Sequence, residues 1–170
     1  MAKTLANILD QRLGKVAFFS MALAICLVVP AFFHNPWVTG PLINATLLVA
    51  AVLVGPTEAV LLGLMPSTIA LLAGLLPLPL APMVPFIMIG NAVFVMVFHS
   101  LKTKNIFAAL GVAAFLKFAF LHGSVVFLVS RLLDSGLTAK LAVMMSWPQL
   151  VTAIIGGAIA YPIVKAVQNK

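Results

Sequence analysis

The sequence predicts an all-α integral membrane protein built as a bundle of six transmembrane helices. Three observations carry that expectation. Of 170 residues, 64% are hydrophobic and only 8% are charged, whereas a soluble domain has about 25% charged residues. So few charges cannot cover a water-facing surface, which excludes a soluble globular domain and a disordered tail. The apolar stretches are each about the 20 residues that a membrane helix needs, and six of them fill the chain with no room for a separate soluble domain. Lys and Arg gather in alternate connections, as topology signals do.

The spans are expected near residues 16–33, 37–55, 58–76, 83–100, 106–130 and 141–164 of a single membrane domain, 1–170. Residues 1–15 carry Lys3, Asp10, Arg12 and Lys15 and read as a cytoplasmic N-terminal segment. The apolar run after them has no clear cleavage site, so it reads as a retained helix rather than a secretory signal. His34-Asn35-Pro36 separates the first two spans. Gly55-Pro56-Thr57-Glu58 separates the next two, with Thr57 suited to cap a helix and Glu58 suited to its positive end. Pro77, Pro79 and Pro82 precede the fourth span. Lys102-Thr103-Lys104-Asn105 precedes the fifth, and Asp134-Ser135-Gly136 the sixth.

With six spans both termini share a side. That side holds seven Lys and Arg residues (Lys3, Arg12, Lys15, Lys102, Lys104, Lys165, Lys170) against two, Arg131 and Lys140, on the other. The excess of positive charge assigns both termini to the cytoplasm of a multi-pass protein in the cell membrane. The net charge of +7 is thus a topology signal, and no nucleic-acid partner is expected. The single cysteine, Cys26, excludes a disulfide framework and a cysteine-held Fe–S cluster. No phosphate-loop motif, paired carboxylates, metal-ligand spacing or nucleophile motif is present. No catalytic residue, metal or cofactor is therefore expected.

Function should lie in the polar groups kept inside the membrane. Counted from the non-cytoplasmic boundaries, Asn44, Thr68 with Ser67, Asn91, His122 and Gln149 each fall seven to nine residues inward, roughly 10–14 Å deep at 1.5 Å per residue. Taken singly, Ser67, Thr68 and Asn44 read as helix-to-helix hydrogen bonds. Taken together they point to a pocket open to the outside. Lys117 is the most costly of these groups, since a lysine at mid-helix costs about 2.5–3.5 kcal/mol on insertion scales. Either it is a purely structural group, held by backbone carbonyls or sitting neutral, or it meets an anionic or carbonyl-bearing ligand. Its side chain tilts toward the helix N-terminus, and so to the pocket floor. His122 lies about 140° round the helix from Lys117, on another face, and is as compatible with packing as with ligand contact. In Ser146-Trp147-Pro148-Gln149, Pro148 kinks the helix and frees a carbonyl near Met144. Trp147 and Gln149 supply a flat apolar face and a hydrogen-bonding amide, suited to a flat heteroaromatic ligand. The alternative there is an interfacial Trp beside an ordinary proline kink.

Together these features resemble the substrate-binding S component of an energy-coupling factor (ECF) transporter. PMVPFIMIGN at 82–91 looks like the proline-led start and Gly-Asn of that family's fourth helix. Ala17, Ser20 and Ala24 share one face of the first helix, similar to the family's small-residue surface for its coupling protein, with Ser20 in place of a strict alanine. HNPWVTGP at 34–41, LKF at 116–118 and MMSWPQ at 144–149 resemble a branch of unassigned cargo, some of whose members carry a hydrogenase label. One cysteine cannot support hydrogenase chemistry. The resemblance implies a prokaryotic membrane protein that captures a vitamin or related micronutrient from outside. It implies partners: a transmembrane coupling protein and two ATPase subunits. It also implies that the S component topples in the membrane to release its cargo inside. Asn44, Asn91, Lys117, His122, Trp147 and Gln149 are then the candidate substrate-binding residues. The connections at 33–37 and 77–82 are the candidate lids. Two other classes stay open. One is a structural membrane scaffold of the MreD-like kind, without a small-molecule pocket. The other is a membrane-embedded enzyme with Lys117 and His122 as acid and base.

Overall fold

The computed structural model describes residues 2–33, 35–74, 78–127, 129–131 and 135–168. His34, Pro77 and Asp134, which mark three expected boundaries, lie outside the described residues. So does the placement of the side chains of Lys3, Asp10 and Pro79. Among the described residues all regular structure is helical: α1 (Ala2–Phe32), α2 (Pro36–Leu53), α3 (Pro56–Leu72), α4 (Val84–Leu101), α5 (Ile106–Phe127), α6 (Ser135–Met144) and α7 (Trp147–Gln168). Short 3-10 turns at Leu78–Met83 and Val129–Arg131 precede α4 and α6.

Five stretches are long and apolar enough to cross a membrane: Gln11–Phe32, Pro36–Leu53, Leu80–Leu101, Ile106–Phe127 and Thr138–Val167. Between them Pro56–Leu72 is apolar but shorter. Its 17 residues rise roughly 25 Å at 1.5 Å each, a few ångströms less than a typical hydrocarbon core. The chain is thus a multi-pass membrane protein by helix length and hydropathy.

Local chemistry explains where the helices begin and end. Asn35 accepts the Trp37 N–H at 3.0 Å through its side chain, and Pro36 fills the first helical position, where no N–H is needed. Pro56 opens α3 in the same way, after Gly55 rather than a side-chain cap. The α3 terminus is closed by Gly74 at φ 69°, a conformation that glycine adopts without a Cβ clash. Asn105 caps α5 by accepting from both Phe107 and Ala108.

The apolar stretch Gln11–Phe32 overlaps the span expected near 16–33, and the helix that carries it starts earlier, at Ala2, so the polar N-terminal segment continues the span as helix. The last span is not one kinked helix. It is divided into α6 and α7 around Met145-Ser146. Pro148 has no N–H to give to the Met144 carbonyl, which leaves one bond of the helical ladder unmade at the break. Ser146 turns its hydroxyl onto the Val143 carbonyl at 2.7 Å, and the Gln149 N–H restarts the ladder on the Ser146 carbonyl at 3.0 Å.

Cross-helix contacts fix the direction of each helix. Gly40 meets Thr152 and Asn44 meets Gly156, so α2 and α7 run parallel. His99 Nδ1 lies 3.1 Å from the Ala51 carbonyl, which with Asn44 and Asn91 meeting at the Lys117 ammonium makes α4 parallel to α2. Phe107 stacks on Tyr161 at 5.1 Å and Leu110 faces Gly157, so α5 runs against α7. Asn91 to Gly63 and Thr68 to Met88 set α3 against α4. α1 folds back along α2 through Ala22 and Cys26, which pack on Ile43 and Leu47. Successive helices therefore alternate in direction through the five long apolar stretches and the shorter α3, with α6 and α7 sharing the last stretch. The start of α1 and the end of α7 lie at one end, hereafter the terminal end.

The core has two main parts and an end cap. Leu48, Phe94, Phe98, Ala113 and Val164 form one part among α2, α4, α5 and α7. Leu47, Ala50, Leu62 and Val95 join Ala22 and Cys26 in the second. At the end opposite the termini, Leu141 and Met145 from the α6 segment pack on Leu80, Met83, Leu121 and Val125.

Candidate functional site

The polar centre of the bundle is the side chain of Lys117. It stands at the middle of α5 and is 4% exposed. Its Nζ donates to Asn44 Oδ1 on α2 at 2.6 Å and to Asn91 Oδ1 on α4 at 2.8 Å. The ring of Phe94 lies below it, 5.2 Å from Nζ to centroid, and presents its negative face to the ammonium. Neutral side-chain amides therefore hold this lysine, instead of the backbone carbonyls weighed above.

Each partner is itself positioned. Asn91 Nδ2 donates to the Gly63 carbonyl at 2.8 Å. With its donor end anchored on α3, the amide turns its oxygen to Lys117. Gly63 permits the approach, since a Cβ there would lie 3.0 Å from the Asn91 Cβ. Asn44 is backed by Gly156 of α7, where a Cβ would meet the Asn44 Cβ at 2.6 Å and the Pro41 carbonyl at 2.8 Å. Five helices thus converge on one charge: α5 supplies it, α2 and α4 bind it, and α3 and α7 hold the binders. Such satisfaction by polar groups is what a charge at membrane depth requires.

Beside this node is a chamber of about 180 Å³, lined by Pro30, Gly40, Asn44, Ser67, Asn91, Lys117 and Gln149 among others. A larger chamber of about 460 Å³ adjoins it toward the end opposite the termini. Trp37, Leu80, Met144, Met145, Trp147 and Pro148 line the larger one. Thr39, Gly40, Ile87 and Gln149 belong to both walls, so the two chambers meet. The inner chamber is polar at its floor, and the outer one is apolar and aromatic. Trp37 and Trp147 pair at its rim, 5.4 Å apart and tilted by 45°. Both are about half exposed, at the level where amphipathic rings sit between lipid and water.

The structure brings four of the six proposed binding residues to the inner chamber: Asn44, Asn91, Lys117 and Gln149. Trp147 lines only the outer one. His122 lines neither; its ring stacks on Phe118 at 5.8 Å, and its Nδ1 is buried without a partner among the described residues. The angular separation of about 140° from Lys117 accounts for this. Thr68 also turns aside and donates to the Leu64 carbonyl at 3.0 Å. Gln149 is not at the common depth expected of it. That depth was counted from Lys140, but α7 begins at Trp147. Gln149 therefore sits seven residues nearer the rim than Gly156, the contact of Asn44, or about 10 Å.

Sequence reasoning left out Thr39, Gly40 and Thr152. They stand near the starts of α2 and α7, where polar and small residues read as interfacial. The pairing of Gly40 and Asn44 with Thr152 and Gly156, each four residues apart, is the small-residue spacing of a close helix pair. Ser67 was noticed for its depth alone; it lines the inner chamber with its Oγ buried and unpartnered among the described residues. The small-residue face of α1 is outward: Ala17, Ser20 and Ala24 are all exposed, opposite Ala22 and Cys26. Among the described residues no three His, Cys, Asp or Glu side chains gather as a metal site would need.

Comparison with protein-family models, with curated proteins and with solved structures finds no match to this chain. The molecule is an all-helical, multi-pass membrane protein by helix length and hydropathy, with a buried, amide-bound lysine below a two-part cavity.

Proposed function

We propose that the chain is the substrate-capture subunit of an ECF-type importer, taking a vitamin-like small molecule from the outer side of a prokaryotic cell membrane. The observation that carries this reading is the cavity with Lys117 at its floor. A pocket of several hundred cubic ångströms, apolar with a few convergent polar groups, is the usual form of a small-molecule site. In a membrane, a buried charged group facing such a cavity marks a substrate path. The resemblance in PMVPFIMIGN at 82–91 supports the choice of transporter class.

In this reading both termini are cytoplasmic and the chamber end faces outward, in keeping with the seven-to-two distribution of Lys and Arg. A transmembrane coupling protein docks on the α1 face of Ala17, Ser20 and Ala24. Two ATPase subunits supply the energy, and the chain itself catalyses nothing. A membrane scaffold of the MreD-like kind would also use an exposed α1 face, but it gives no reason for a cavity that ends on a buried lysine. An enzyme using Lys117 and His122 together lacks a shared cavity for them.

The test is to purify the chain from cells, denature it and identify released small molecules by mass spectrometry. A compound bound near one per chain, and lost from a variant with a filled chamber such as Ser67→Phe, supports capture. Stable, chamber-competent protein that carries and binds no small molecule sinks it.

A further inference from the structure

The hydrogen-bonding capacity left over at the chamber floor is lopsided. Both amide oxygens near Lys117 are turned to its ammonium and accept from it. An ammonium has three N–H donors, and two are used here. Asn44, with its oxygen committed, offers the chamber its NH₂. Ser67 adds a hydroxyl that is buried, unpartnered among the described residues and 8% exposed. What remains at the floor is thus mostly N–H and O–H, around one positive charge. The groups that touch the ammonium, Asn44, Asn91 and Phe94, are all neutral. Among the described residues no Asp or Glu lines the inner chamber.

We infer that the ligand is a monoanion that places a carboxylate against Lys117 and Ser67 and leaves an apolar or flat aromatic body in the outer chamber. This rests on the capture reading and names the ligand chemistry of the same site. A carboxylate has two oxygens and accepts only, which matches a floor whose free donors are the third Lys117 N–H, the Asn44 NH₂ and the Ser67 hydroxyl. It also cancels the lysine's charge where water is scarce, so each partner lowers the cost of burying the other. The inner volume of about 180 Å³ exceeds the ~30 Å³ share of a single water several-fold, enough for a head group of a few heavy atoms. A neutral amide head would bring an NH₂ that meets further donors. A cationic head would meet Lys117 itself. The outer chamber, with Trp37, Trp147 and Met144 in its wall, suits a body without charge.

The experiment uses the full chain in lipid nanodiscs and matched probes: indole-3-propionate and octanoate against indole-3-propionamide and octanamide. Affinity is read by thermal shift and by titration calorimetry. At least one acid should bind at least tenfold more tightly than its amide. Gln149→Glu places a competing carboxylate in the chamber wall and should lower the acid's affinity at least to that of its amide. Lys117→Met should do the same; if it fails to fold, Gln149→Glu still decides. Equal binding of acid and amide overturns the assignment while capture stands. A neutral or cationic compound that co-purifies in the chamber likewise overturns the carboxylate alone. If no probe binds and no compound co-purifies, both inferences fall.

Discussion

Gly156 of α7 lies so close to Asn44 of α2 that a single added carbon would sit 2.6 Å from the asparagine's Cβ. The contact is not only packing. The side chain pressed by Gly156 is the one that accepts from Lys117 at 2.6 Å. Helix approach and charge burial therefore depend on the same residue.

Gly156→Ala should lower stability by about 1–3 kcal/mol, the usual cost of overpacking. The neighbouring Pro41 carbonyl, at 2.8 Å from the added Cβ, is backbone and cannot rotate away. Gly111→Ala serves as the opposite control, because nothing lies within 4 Å of its Cβ position. There the gain in helix propensity, up to ~1 kcal/mol, should dominate. Unfolding midpoints in mixed micelles check both; equal shifts in the two variants would contradict the close approach.

A double-mutant cycle of Lys117→Met and Asn44→Leu should show coupling. Neutral polar pairs in membranes average about 0.6 kcal/mol. With a charged donor and a buried acceptor this pair should exceed that, toward the ~1.5–3 kcal/mol of hydrogen bonds to charged groups. Additive effects would mean that the 2.6 Å contact contributes nothing specific.

Single cysteines at Asn35 and Gly136 should react with an impermeant thiol reagent added outside intact cells, and one at Thr103 should not. Native Cys26 is fully buried and gives no background. Labelling at Thr103 alone would invert the assigned orientation and move the chamber to the cytoplasmic side.

Ala24→Trp should leave the melting temperature and ligand affinity near those of the unaltered chain, because Ala24 points away from the Ala22 and Cys26 contacts. In the proposed importer, uptake should fall, since a bulky group on a small-residue face holds a partner helix away. Unimpaired uptake would place the coupling surface on another helix.

The helical layers were legible because lipid imposes a single rule: apolar runs of span length become helices. Lys117 and Asn91 were legible because a polar group at mid-span must face inward. Angular position was harder to read. His122 shares the expected depth of Asn91, yet it stacks on Phe118 outside both chambers. Depth follows from counting along one helix, whereas the facing direction depends on which neighbours pack against it. Gln149 was placed at the wrong depth because the break around Met145-Ser146 was read as a kink. Periodicity carries no signal for a stop inside a continuous apolar run.

The parallel course of α2 and α7 bears on how the protein is made. α2 packs more extensively on α7 than on its chain neighbours α1 and α3, yet the residues in contact, such as Gly40 and Thr152, are more than a hundred positions apart. Two parallel helices cannot be joined by a hairpin, so three intervening crossings must be threaded before the pair forms. While the chain is still emerging into the bilayer, Asn44 faces lipid or solvent where Gly156 will later stand. Lys117 enters the membrane before the wall that steadies its partner exists. The nascent protein thus passes through a stage in which Asn44 lacks its α7 backing and a groove along α2 stays open. Release of the final helix from the ribosome is the event that ends that stage. A chain cut before Trp147 should remain at it, vulnerable to membrane proteases and unable to assemble the chamber.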